Sequence, residues 1–218
     1  RSQMPYPLGH GRSYSIIISQ FRMKINPFSR FLAERPARKK LESRGGKWYT
    51  KIEIILRRRG MVETTLCYIE RAGKVLLLHR TRKNEDPNHG KWIGVGGHIE
   101  PGETPEVCVL REVLEETGLK LLDCRARGVV RFRSDVNPDE DMYLFTATAF
   151  SGDLRECDEG ELKWIEKDKM FELPMWEGDR VFLRLLAEGR EKFDCTLNYQ
   201  GDALESAYVD GRKYEIHS

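Results

Sequence analysis

Residues 97–119 read GHIEPGETPEVCVLREVLEETGL. Thr104 and Pro105 make a helix start, because threonine caps well and proline fits the first turn. Gly118 makes the stop. Between them Glu112, Glu115 and Glu116 crowd together, with Glu103 and Glu106 just upstream. A helix here sets Glu115 and Glu116 in its last turn, where the macrodipole disfavours anions. Glu112 and Glu116 become an i,i+4 like-charge pair, costing roughly a few tenths of a kcal/mol. At about 100° per residue the three glutamates share one face. Val107, Leu110 and Leu114 share the opposite face, which is expected to be core. Taken alone, the stripe reads as a solvated acidic face.

The rest of the chain bounds what that helix belongs to. The 218 residues suffice for one sizeable domain and an extension. No apolar run approaches the ~20 residues of a membrane span, and Ser15–Ser19, with its three isoleucines, falls far short. The five cysteines, Cys67, Cys108, Cys124, Cys157 and Cys195, are widely spaced, without a CxxC pair, and histidine is scarce. That pattern argues against a zinc site or a disulfide framework and fits a reducing, cytoplasmic compartment.

Charge divides the chain. Residues 1–60 hold 15 Lys and Arg against 3 Asp and Glu, a net of +12; the remainder holds 22 against 32, a net of −10. Three readings of 1–60 stand: a nucleic-acid-binding arm, since basic arms bind phosphate; an Arg- and Ser-rich targeting peptide; or upstream sequence that is no natural part of the protein. The last is favoured by Arg57-Arg58-Arg59-Gly60, which a purine-rich ribosome-binding site encodes when translated in frame, immediately before Met61. Ile52–Leu56 can form a short strand.

From Met61 the pattern is regular. Thr64–Glu70 and Lys74–Arg80 read as strands joined at Arg71-Ala72-Gly73. A polar loop follows over Thr81–Gly90, and Lys91–Gly97 leads into the acidic helix. Gly128–Arg133, Met142–Ser151 and Leu162–Ile165 read as strands, and Asp179–Glu188 as a helix. Lys192–Tyr199 and Leu204–Val209 read as a closing hairpin around Gly201-Asp202. Strands and helices mix without βαβ alternation, so the expected class is α+β with a mixed sheet.

The spacing in the acidic stretch now carries more than its charge. Gly97, five residues, Glu103, seven residues, then Arg111-Glu112-Val113-x-Glu115-Glu116-x-Gly118-Leu119 resembles the Nudix box at every defined position. The resemblance implies the Nudix fold, a mixed sheet sandwiched between helices, and hydrolysis of a nucleoside diphosphate derivative by direct attack of water. Three carboxylates on one helical face suit Mg²⁺, or Mn²⁺, as hard-oxygen ligands. A cation would neutralise the stripe and so explain it. The family pattern implies a metal set of Gly97 (through its carbonyl), Glu112, Glu115 and Glu116. Glu159, from the acidic run Glu156–Glu161, belongs to that set if the run is more than a solvated loop. Arg111 orients Glu115, and Glu103 anchors the loop and holds Arg111. Glu112 and Glu159 are both candidates for the general base.

Beyond the box, residues 61–218 resemble the MutT-like oxidised-purine nucleoside triphosphatases. Leu76–Arg80, Gly90-Lys91-Trp92-x-Gly94-x-Gly96-Gly97, Asp158-Glu159, Trp164 and Met175-Trp176-Glu177-Gly178-Asp179 carry the likeness. It implies 8-oxo-dGTP as substrate, cleaved to monophosphate and pyrophosphate. Trp176 would stack on the base and Asp179 bond its edge, with Trp92 and Ile93 beside them and Arg80 at the phosphate rim. The plainer readings are a core tryptophan, a helix-capping aspartate and an exposed strand-end arginine. Ile93 stands where the pattern has a base-contacting asparagine, and Gly178 where it has the first of two aspartates.

Two rival functions remain at this point. One is a Nudix hydrolase for another nucleoside triphosphate, ADP-ribose or a dinucleoside polyphosphate. The other is a catalytically silent nucleotide sensor. The expected partner is a small-molecule nucleotide. No membrane is expected, nucleic acid only through a genuine basic arm, and the protein is read as a monomer or homodimer.

Overall fold

Runs such as Val75-Leu76-Leu77-Leu78 are apolar at every position, which fits strands covered on both faces. The computed structural model bears this out. It describes residues 61–82 and 86–216, and the backbone of 40–41 and 49–50. Those two segments, β1 (Lys40–Leu41) and β2 (Tyr49–Thr50), pair antiparallel. The other expectations for residues 1–60, including the strand over Ile52–Leu56, lie outside the described residues.

The main sheet contains β3 (Val62–Arg71), β4 (Lys74–Arg80), β5 (Trp92–Ile93), β7 (Arg125–Ser134), β8 (Glu140–Ala147), β10 (Gly160–Glu166), β11 (Cys195–Gln200), β12 (Ala203–Val209) and β13 (Arg212–Tyr214). Its order is β10-β4-β3-β8-β7-β11-β12-β13, with β5 also on β4. β3 runs parallel to β8, and β7 to β11, while the other pairs are antiparallel. The sheet is mixed, as expected. Residues alternate between two cores. Cys67, Ile69, Leu76, Phe145 and Ala147 face α1 (Pro105–Thr117) through Val109 and Val113. Leu66, Tyr68, Val75, Leu77 and Leu144 face α2 (Glu177–Ala187) through Val181, Phe182 and Leu185. The result is a sheet between two helices.

Three sequence expectations need correction. Val107 and Leu114 do not enter the core; they are 49% and 44% exposed, and Leu110 is half-buried. The buried face is Cys108, Val109, Val113 and Thr117. Those side chains pack against the sheet, and the helix turns accordingly, bringing one edge of the acidic stripe inward. Met142–Ser151 is not one strand. The Asp123 carboxylate takes the Thr148 and Ala149 amides, both at 2.8 Å, and draws the chain out of the ladder after Ala147. β9 (Phe150–Ser151) then pairs with β6 (Lys120–Leu121) in a separate ladder. Lys192–Tyr199 begins its strand only at Cys195. β13 was not foreseen, although Asp210-Gly211, both at positive φ, is a strong hairpin signal.

Candidate active site

The local sequence forms α1 as its caps dictate. The Thr104 hydroxyl accepts from the Val107 amide at 3.4 Å, and Gly118 closes the helix at φ 77°, its amide donating to the Leu114 carbonyl at 3.0 Å. Seated by Val109 and Val113, the helix aims Glu112 and Glu116 at the loop between β5 and α1. That loop must be glycine. A Cβ on Gly96 would lie 2.0 Å from the Thr65 carbonyl oxygen on β3, and one on Gly97 would lie 2.6 Å from the Glu112 carboxyl. The Gly96 amide donates to Glu116 Oε2 at 3.2 Å, and the Gly97 carbonyl accepts from the Thr65 amide at 2.9 Å.

Glu159 arrives from the loop before β10. Of its acidic run, Glu156 and Asp158 are exposed, while Glu159 turns inward to an ion pair with Arg80. Burial raises the Glu116 carboxyl well above the usual range, and the adjacent Glu159 and Glu112 raise it further. Arg80 is not an exposed strand-end residue; it lines the cleft that holds the carboxylates. Its side chain is 13% exposed and also grips Asp86 at 2.6 Å. Arg111 is the other clamp. It donates to both Glu103 oxygens at 2.9 Å, to Glu112 at 2.7 Å, to Glu115 at 3.2 Å and to the His98 carbonyl at 3.2 Å. The Glu103 carboxyl is held below its ordinary range, first by Arg111. Glu115 stands apart: its side chain is 61% exposed and does not line the cleft.

This donor set fits a hard divalent cation. Glu112, Glu116 and Glu159 converge from a helix and a loop, and Glu116 stays buried among like charges. Two of the three are engaged by arginines, and among the described residues no three acidic, Cys or His groups already stand in coordinating geometry.

The carboxylates form one end of a cleft of about 790 Å³. Ile93, Glu140, Trp176, Asp179 and Tyr199 line its other part. Trp176 is not ordinary core. It opens α2, donates from Nε1 to Asn88 Oδ1 at 2.8 Å and carries Lys91 Nζ 4.1 Å over its ring. Asp179 does not cap α2 with its side chain. It is 5% exposed, its carboxyl receives no hydrogen bond among the described residues, and burial, then Glu140, push its pKa up to about 7. Trp92 is placed elsewhere: it is buried in the α2-side core, stacked on His79 at 4.4 Å, and does not line the cleft. Sequence reasoning missed Glu140, Lys91, Asn88 and Tyr199. Of these only Lys91 falls in a spaced motif; Asn88 sits in the loop before β5, and the sheet brings Glu140 on β8 and Tyr199 on β11 in from far along the chain.

Comparisons with known proteins give the family and the fold. The NUDIX domain family model matches residues 61–186. YvcI of Bacillus subtilis, named an uncharacterized Nudix hydrolase, is 32% identical over 143 residues, 62% of this chain and 85% of that one. The oxidized purine nucleoside triphosphate hydrolase of Danio rerio is 32% identical over 139 residues, 63% of this chain and 86% of its own. The crystal structure of a MutT protein from Bacillus halodurans superposes with a TM-score of 0.62 at 29% identity, covering 68% of this chain and 97% of that one. With its acidic helix seated on a mixed sheet and its carboxylates opening into a nucleotide-sized cleft, the chain belongs to the Nudix family of hydrolases, which act on phosphoanhydride bonds of nucleotides.

Proposed function

We propose that the protein hydrolyses oxidised purine nucleoside triphosphates, with 8-oxo-dGTP the preferred substrate, to monophosphate and pyrophosphate, and so cleanses the nucleotide pool. One observation carries the reading. A single cleft joins the Glu112, Glu116 and Glu159 carboxylates to Trp176 and Asp179. Phosphates and base of one nucleotide can occupy it together. The likeness to relatives named for oxidised purine substrates supports it.

Glu112, Glu116 and Glu159, with the Gly97 carbonyl, would hold Mg²⁺, and Glu115 joins them if its exposed side chain swings in. An ion held there would supply positive charge to neutralise the phosphates and would make water more acidic. The chain's own residues do the rest. Arg111 and Glu103 fix Glu112 and the loop. Arg80 holds Glu159 and places positive charge on the cleft wall. Trp176 offers a flat ring to the base. Glu112 and Glu159 remain the candidates to take a proton from water. Five free thiols fit a cytoplasmic setting.

The test is hydrolysis by the full chain with Mg²⁺, comparing 8-oxo-dGTP, dGTP, dATP and ADP-ribose. Pyrophosphate release with kcat/KM at least about tenfold higher for 8-oxo-dGTP, roughly 1.4 kcal/mol in transition-state binding, is expected. Equal or better cleavage of dGTP or ADP-ribose would remove the substrate assignment and leave the hydrolase. No turnover of any of them would favour a nucleotide sensor, a reading the buried carboxylate cluster argues against.

A further inference from the structure

The glycine at position 178 makes room for a phenol. A Cβ there would lie 2.5 Å from Tyr199 Oη and 2.7 Å from Leu197 Cδ1. In close-packed protein such contacts force a shift, so residues 178 and 199 are coupled. The Gly178 amide donates to Tyr199 Oη at 2.9 Å. That bond uses an acceptor lone pair of the phenol and leaves its proton to donate. Among the described residues no acceptor takes it. Burial holds the phenol far above its ordinary pKa, so it keeps the proton. The ring lines the cleft and meets Trp176 edge-on at 6.1 Å between centroids.

Asp179, the next residue along α2, offers the reverse. Its carboxyl lines the same cleft, lies almost wholly buried and receives no hydrogen bond among the described residues. Ile93 and Gly178 add no polar side chain. The base end of the cleft therefore presents a committed donor beside an unfilled acceptor.

We propose that Tyr199 donates to the 6-oxo group of a purine whose N1–H edge meets Asp179, making Tyr199 the residue that sets a preference for 6-oxopurine over 6-aminopurine nucleotides. The inference rests on the hydrolase reading above for the phosphate chemistry and deepens it at the base. Guanine and hypoxanthine set a carbonyl acceptor beside an N–H donor. Adenine sets an amino donor at the carbonyl's position and a bare ring nitrogen beside it, so both contacts are mismatched. A site whose buried polar groups go unpaired rejects the wrong ligand strongly.

The test is calorimetric binding of dGMP, dIMP and dAMP to the full chain and to Tyr199→Phe. Monophosphates lack the scissile bond, so base recognition is read apart from turnover. The wild type should bind dGMP and dIMP each at least about tenfold tighter than dAMP, and Tyr199→Phe should shrink that gap to within about threefold. Gly178→Ala should weaken dGMP by displacing the phenol, and adding it to Tyr199→Phe should cost less than it does in the wild type, because the contact with the hydroxyl is gone and only that with Leu197 is left. An unchanged gap in Tyr199→Phe, dAMP bound as tightly as dGMP by the wild type, or no binding of any of the three overturns the inference. A dGMP preference in a protein that hydrolyses no triphosphate sustains the base reading and removes the hydrolase reading. Hydrolysis without base preference does the opposite.

Discussion

The two ends of the cleft are built by different means. At the phosphate end, Glu103, Arg111, Glu112 and Glu116 come from one stretch of chain, and Glu159 and the Arg80 that holds it come from elsewhere. The groups there are charged, partly buried and mutually repelling, and two arginines hold them in place. At the base end, Ile93, Glu140, Asp179 and Tyr199 come from β5, β8, α2 and β11. Among the described residues no ion pair joins these four, and packing of the sheet places them. Chemistry that is the same for every nucleotide can sit on one rigid helix. Recognition that differs between nucleotides sits on separate elements, where a single substitution changes the reading without disturbing the catalytic groups.

If this division is right, damage at the phosphate end should fall on turnover. Glu116→Gln should lower kcat by about a thousandfold, several kcal/mol of lost charge stabilisation, with little change in KM. Steady-state kinetics at saturating Mg²⁺ would show it, and a loss confined to KM would erase the division.

Arg111→Ala should cost less, about 10- to 100-fold in kcat/KM, because it acts through the groups it holds. It should also raise the Mg²⁺ concentration needed for half-maximal rate, which a magnesium titration would measure.

Smaller still is the pH effect at the base end. Asp179 faces Glu140 from β8, with Lys91 and Arg180 near it, and has a pKa of about 7 against an ordinary value of 3.8. A raised folded pKa means that the native state holds the proton longer than the unfolded chain. The stabilising contribution is therefore complete below the unfolded value and is lost as pH rises through about 7. Between pH 5 and pH 8 the wild type should lose up to about 2 kcal/mol relative to Asp179→Asn, as read by urea unfolding. Over the same window dGMP binding to the wild type should tighten, since the ionised carboxyl accepts N1–H. Parallel urea curves for the two proteins would contradict this.

The least effect belongs to the outer face of α1. Leu114→Gln should change stability by less than about 0.5 kcal/mol, whereas Val113→Ala should cost roughly 1–2 kcal/mol through the cavity it leaves. Thermal melts of the two variants would check the corrected helix face.

Much of the fold was legible because its signals are local. The caps at Thr104 and Gly118, the turn at Ala72-Gly73 and the apolar runs of β3 and β4 each depend on neighbours in sequence. The face of α1 was misread because three aliphatic residues at helical spacing pointed away from the acids. In the structure the valines seat the helix, and two of the acids lean inward beside them. The phosphate end was legible in its spacing. Glu115, foreseen as equal to its neighbours, lies outside the cleft because it falls on the solvent side of that seating. Trp92 looked like a pocket residue by position, yet the short β5 strand turns its ring onto His79. Tyr199 could not be found in advance, since its role depends on a contact with Gly178 across two elements.

The central claim is that one nucleotide spans both ends of the cleft. The measurement that tests it most directly is product analysis and saturation kinetics with 8-oxo-dGTP and Mg²⁺ for the wild type, Trp176→Ala and Glu116→Gln, all as full chains. Pyrophosphate and monophosphate are the expected products, with a raised KM in Trp176→Ala and a collapsed kcat in Glu116→Gln. Release of inorganic phosphate instead of pyrophosphate, or a Trp176→Ala variant with the wild-type KM, would contradict that claim.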